Sequence, residues 1–163
     1  MERFVAKLII KRLRKDMKEI LIRKASKQDL LAIQRLLSTY FLDMEGLEAE
    51  NFVLAEVDGQ IRGCAALVNS RSHGKEFLEI HSIAAHPNFR GKGIGTRLVR
   101  YILAIIEESA CDLYVRTTVP QFFEKLGFEK IENSEKLLLW EDCKECEHFE
   151  KCMQYAMKYS HSR

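Results

Sequence analysis

The chain has 163 residues, 47% apolar and 31% charged, a balance that fits one globular domain and excludes a disordered or fibrous chain. No apolar run approaches the roughly 18 residues of a membrane span, and no stretch has the apolar core and small-residue cleavage site of an export signal. A net charge of +2 is too small to mark a nucleic-acid binder, and five cysteines without an export signal point to a reducing, cytoplasmic setting with free thiols or metal ligands.

Residues 1–19 carry seven Lys/Arg against three acids, with Phe4 and Leu8 at helical spacing. They read as a basic amphipathic extension, packed on the domain or poorly ordered, with a helix lying on an anionic surface or on RNA as the alternative. Ile20 to Arg23 predicts a first strand. Ser26-Lys27-Gln28-Asp29 resembles a capping box, and Leu30, Ile33, Leu37 and Tyr40 mark one face of the helix that follows. Phe52 to Val57 and Ile61 to Val68 predict strands joined at Asp58-Gly59, a hairpin signal. Ser70 to Lys75 is a polar turn, and Phe77 to Ala85 a further strand.

That strand stops at His86-Pro87 and runs into RGKGIG, after which Ile94, Leu98 and Ile102 share a helix face. Strand, glycine-rich turn, helix presents unpaired backbone N–H groups to an anion. Glycine at 93 and 95 lets a phosphate approach the backbone, and Arg90 and Lys92 add charge beside the helix dipole. Cys111 to Thr118 predicts a strand, Pro120 opens a short helix that Gly127 closes, and Lys136 to Trp140 reads as a last strand. Without repeats or linkers, the order β, α, β-β-β, α, β, α, β predicts one α/β domain over 20–140 with a mixed sheet, followed by a Cys-rich tail over 141–163.

The meander feeding a strand, then Arg90-x-x-Gly93-x-Gly95 opening a helix, then FFEKLGF, resembles the GNAT N-acetyltransferase superfamily over about Ile20 to Trp140. The resemblance implies a mainly antiparallel sheet splayed at its centre with flanking helices, and acetyl-CoA as cosubstrate. The amides of Arg90, Gly91, Lys92, Gly93, Ile94, Gly95 and Thr96 would hold its pyrophosphate. Ile83, Ala84 and Ala85 would splay from Cys111 to Val115 and pair with its pantetheine arm. Thr118, Phe122 and Phe123 would border the same site. EIHSIAAHPNFRGKGIG with Thr117-Thr118 ahead of Phe122-Phe123 is most similar to amino-acid N-acetyltransferases of the N-acetylglutamate synthase type. Where many members carry a tyrosine that protonates the leaving thiolate, this chain has Phe123, which has no proton to give.

Acetyl transfer to an amine needs the amine deprotonated, a donor for the thioester oxygen, and both substrates held together. A backbone N–H near Ile83 or Ala84 would be that donor. Glu79 is the expected base, at the strand position that carries it in some members, and by two-residue alternation it shares a face with His81 and Ile83. His81 is a second candidate; a packed or hydrogen-bonded histidine is the plainer alternative for it, and a solvent-facing glutamate for Glu79. His86 reads as a turn residue. The carboxylate of an amino-acid acceptor calls for a cation, with Arg35, Arg62, Lys75 and Arg116 as candidates.

In the tail, Cys143-x-x-Cys146 with Cys152, completed by His148 or His161, has the residue types of a structural zinc site. A helix through the tail would instead scatter these thiols. Cys64 and Cys111 read as core. The expected acceptor is a small-molecule amine, glutamate foremost, and a homodimer is compatible with this reading. The competing readings are a protein or peptide N-acetyltransferase, and a non-catalytic acyl-CoA-binding module.

Overall fold

A computed structural model describes residues 19–160 of the chain; the predicted basic extension falls almost wholly on residues 1–18, outside this range, as does His161. Seven strands form one sheet: β1 Ile20–Lys24, β2 Phe52–Val57, β3 Gln60–Ser72, β4 Lys75–Ala85, β5 Leu113–Thr117, β6 Phe128–Lys130 and β7 Tyr155–Tyr159. Their spatial order is β1-β2-β3-β4-β5-β7-β6. All pairs are antiparallel except β4 with β5. Five α-helices join them: α1 Leu30–Ser38, α2 Ile94–Ile105, α3 Pro120–Glu124, α4 Asn133–Leu139 and α5 Glu141–Glu145.

The apolar stripes decide how the helices pack. α2 buries Ile94, Leu98, Val99 and Ile102 against Ala55, Ala65, Ile80 and Val115, and each such side chain contributes about 1.5–3 kcal/mol. α1 buries Ile33, Leu36 and Leu37 in a separate cluster with Phe52, Leu54, Cys64 and Ala84. A third cluster joins Phe77 and Tyr114 to Leu139, Trp140 and Cys143, so the segment after β6 packs on the sheet.

The predicted capping box holds through Asp29, whose carboxylate accepts from the Ser26 N–H at 2.8 Å. The polar turn is tighter than predicted: β3 and β4 pair through Ser72 and Lys75, and only His73 and Gly74, both left-handed, turn the chain.

Three expectations are corrected. Lys136 to Trp140 is not a strand; Lys136 lies in α4 and Trp140 follows it, with the Trp140 N–H donating to the Lys136 carbonyl at 3.1 Å. Helical spacing lets Lys136 turn inward to the Gln154 carbonyl, 2.9 Å from Nζ, while Trp140 enters the third cluster. The last strand comes instead from the tail, where Tyr155–Tyr159 inserts between β5 and β6. The expected face shared by Glu79, His81 and Ile83 is broken by a bulge in β4. Leu67 pairs with Ile80 but Ala66 with Ser82, so His81 has no partner in the β3–β4 ladder. Beyond the bulge Ile83 joins Ile80 in packing toward α2, which puts it on the face opposite Glu79.

Candidate active site

β4 and β5 pair only over Leu78–Ile80 with Leu113–Val115. From Ile83 to Ala85, β4 is paired with β3 on one edge and has no strand on the other among the described residues. Unused edge amides thus line a wedge between two parallel strands. The wedge opens toward α2, where Ala85, Phe89, Arg90, Gly91, Gly93, Ile94, Gly95, Thr96 and Phe122 enclose a cleft of about 430 Å³.

The cleft floor is backbone. Gly93 caps α2 in the left-handed region, φ 81°, with no side-chain cap, and no acid lies in the first turn. The first bond of the helix is Arg97 N–H to Gly93 C=O, 3.1 Å, so the preceding amides are not used by the helix. Gly93 is required for its backbone angle, since an added Cβ would meet nothing within 4 Å; at Gly95 the added Cβ would lie 3.2 Å from Phe122 Cζ. The Arg90 N–H closes the Pro87–Phe89 turn at 3.4 Å, so the free amides begin after it. Arg90 lies over the Tyr40 ring at 5.1 Å, and Lys92 over Phe89 at 5.2 Å. A loop of free amides and two cations, with no internal acid, fits a pyrophosphate.

The cleft thus gathers Ala85, Arg90, Gly91, Gly93, Ile94, Gly95, Thr96 and Phe122; Ile83, Ala84, Lys92, Thr118 and Phe123 are outside its wall. Phe89 also lines it, with no sequence signal beyond its place between Pro87 and Arg90. Ala84 is buried on the α1 side. Phe123 is 1% exposed, edge-to-face with Phe122 at 4.9 Å and with Phe128 at 5.2 Å, so its position serves packing. Thr118 is exposed.

A second cluster sits where the β4–β5 ladder ends. Glu79 is 5% exposed. Its Oε2 accepts from Trp140 Nε1 at 3.0 Å, and its Oε1 lies 3.5 Å from Arg116 Nε. Arg116 is the first β5 residue past the last rung with β4. Its guanidinium lies 4.9 Å from the Trp140 ring centroid, and its Nη1 donates to Asp142 Oδ2 at 2.8 Å and to Cys143 Sγ at 3.7 Å. Burial opposes the Arg116 charge, but the Asp142 bond and the Glu79 carboxylate outweigh it and hold the group above its ordinary pKa. His81 is exposed and shares a 3.0 Å hydrogen bond with Ser82 Oγ.

The expected zinc site is not assembled. No three His, Cys, Asp or Glu among the described residues are placed to hold a metal ion. Cys143 is buried on α5 facing Arg116, Cys152 lies 3.6 Å from Lys136 Nζ, and Cys146 is exposed. The short α5 and the strand after it send the thiols to different neighbours. Cys64 is core as expected, and burial pushes its thiol up to about 12.

Residues 14–128 match the acetyltransferase (GNAT) family. The chain is 31% identical over 147 residues to an uncharacterized N-acetyltransferase of Chlorobaculum tepidum, covering 83% of this chain and 93% of that protein. It is 30% identical over 102 residues to an uncharacterized N-acetyltransferase of Methanocaldococcus jannaschii, covering 57% and 45%. Among solved structures, N-acetylglutamate synthase from Neisseria gonorrhoeae, complexed with coenzyme A and N-acetyl-glutamate, superposes with a TM-score of 0.70 at 21% identity over 91% of this chain. This chain spans only 36% of that synthase. Arabidopsis thaliana Naa50, in complex with a bisubstrate analogue CoA-Ac-MVNAL, superposes with a TM-score of 0.61 at 17% identity, covering 86% and 98%. At these identities the structural likeness concerns the fold.

Proposed function

We propose, for a chain that belongs to the acetyltransferase (GNAT) family, that the amine it acetylates is that of a small amino acid, glutamate first among those to try, bound beside the Glu79–Arg116 pair. Membership makes the protein an acetyl-CoA-dependent N-acetyltransferase. Acetyl-CoA supplies the activated acetyl group when bound. The amides ahead of α2 would hold its diphosphate, and the free edge of Ile83 to Ala85 would orient its arm toward the end of the β4–β5 ladder.

The observation that carries the acceptor reading is the Glu79–Arg116 pair at that point. Glu79 is a buried carboxylate in a fixed orientation, set by Trp140, and in this reading it takes the proton the amine must lose, directly or through one water. Arg116 lies 3.5 Å from the buried Glu79 carboxylate and donates at 2.8 Å to Asp142, a partner at the surface that can exchange. Asp142 is 69% exposed, and a surface ion pair of that kind is worth about 0–1 kcal/mol. An acceptor carboxylate can therefore replace Asp142 on the guanidinium and bring its own amine beside Glu79. The other cations named from the sequence suit this less: Lys75 is paired with Asp112 at 3.0 Å, and Arg35 and Arg62 lie elsewhere. With Phe123 in place of a tyrosine, the leaving thiolate takes its proton from solvent; a thiol pKa of about 8.5 makes that tolerable.

Phe41, 99% exposed at φ 57° beside Tyr40, whose hydroxyl donates to the Ala85 carbonyl, favours a second reading, in which an apolar peptide side chain docks there. Incubating the protein with acetyl-CoA and each of the twenty amino acids, their α-amides and short peptides, while following free thiol, tests both. The first reading expects thiol release with amino acids and a loss of at least about tenfold with the matching amide. Release with peptides alone overturns it.

A further inference from the structure

A second cavity, of about 540 Å³, lies between α1 and the start of β3. Its wall includes Arg35, Thr39, Gln60, Arg62 and His86, and no aspartate or glutamate. Neither arginine has a carboxylate within ion-pair distance among the described residues. Arg62 is held from two sides: its Nη2 donates to Gln60 Oε1, and its Cζ lies 5.0 Å from the Phe89 ring centroid. Its Nε is buried with no acceptor, a costly state for a charged donor. His86 Nδ1 accepts from the Asn88 N–H at 3.2 Å, which fixes the ring proton on Nε2 and makes that nitrogen a donor. Two arginines and a histidine therefore line one acid-free cavity, and Arg62 keeps a buried guanidinium N–H without an acceptor.

We propose that this cavity binds a small oxyanion, a phosphate or carboxylate group, held by Arg35, Arg62 and His86 at a site separate from the acetyl-transfer centre. Distance separates the two. The His86 N–H donates to the Arg62 carbonyl at 2.7 Å, so both residues lie at the far end of β4, seven residues from Glu79. That is about 20 Å along a strand, too far for an arginine here to hold the carboxylate of an amino acid whose amine reaches Glu79. The cavity also shares no lining residue with the cleft ahead of α2, although Phe89 lines that cleft and carries the Arg62 guanidinium.

Calorimetric titration of the full chain with inorganic phosphate and with acetate, with and without saturating coenzyme A and against sodium chloride at equal ionic strength, tests the site. A saturable site for either anion that persists with coenzyme A bound is expected. Arg62→Gln and Arg35→Gln should each weaken it by about tenfold or more, with unchanged melting temperature showing that the variants fold. No saturable binding, or unchanged affinity in both folded variants, overturns the proposal. So does an Arg62→Gln protein that binds coenzyme A more weakly but 3′-dephospho-coenzyme A normally, because the arginine then serves the nucleotide's own 3′-phosphate.

Discussion

The cleft ahead of α2 and the Glu79 cluster are built on opposite plans. The first is, Phe122 apart, a run of neighbours, 85–96, whose working groups are backbone amides exposed by a helix start and a left-handed glycine. The second draws single side chains from β4, from β5 and from the segment spanning the end of α4 and α5, 79, 116, 140 and 142 in sequence. A backbone site tolerates many side-chain changes but not a wrong φ or a wrong charge. A side-chain site depends on every member arriving from its own element.

Three substitutions separate the two plans. Gly93→Glu is expected to have the largest effect, abolishing coenzyme A binding: it adds a negative charge to the proposed diphosphate site and costs about 1–2 kcal/mol for a Cβ at a left-handed angle. Calorimetry measures it, and normal binding would place the diphosphate elsewhere. Glu79→Gln should lower kcat by about 100-fold or more while leaving coenzyme A affinity near the parent value; an unchanged rate removes Glu79 from the chemistry. Trp140→Phe keeps the ring contacts with Phe77 and Tyr114 but leaves Glu79 Oε2 without its donor. We expect a loss of about 1–3 kcal/mol in stability by denaturant titration and a reduced kcat, again without change in coenzyme A affinity.

The smallest effect lies in neither region. Arg23, bonded to both oxygens of Asp29 at 2.9 Å, holds the Asp29 carboxyl below the usual carboxylate range. Its folded pKa is depressed, so the stabilisation is complete above the unfolded pKa of about 3.9 and fades as pH falls below it. Asp29→Asn should therefore lower stability by about 1 kcal/mol at neutral pH, and the gap from the parent protein should close as the melt is repeated at successively lower pH. A gap that stays constant to strongly acidic pH would mean the carboxylate is not ion-paired.

Much of the first plan was legible in the chain. Ile94, Leu98 and Ile102 announce α2, His86-Pro87 ends β4, and Gly93 stands where only a left-handed residue starts the helix. Of the second plan only Glu79 and the candidate Arg116 could be named. KLLLW fits either period over so short a run, which hides the helical setting of Trp140, and a bulge leaves no mark in an alternating pattern, which hides the separation of His81 from Glu79. The metal reading of the tail failed for a related reason: Cys143, Cys146 and Cys152 have suitable spacing, but α5 and β7 turn them toward different partners.

The sequence by itself determined the local elements, the glycine-rich turn ahead of α2 and the two amphipathic helices, because these depend on φ, on capping and on periodicities of 2 and 3.6 that neighbouring residues set together. Only the tertiary structure decided that the β4–β5 ladder ends at Ile80, that a tail strand lies between β5 and β6, and that Trp140 and Arg116 meet Glu79. Those outcomes depend on pairing and burial between residues dozens of positions apart, where the preference of each segment is weaker than the packing it finds.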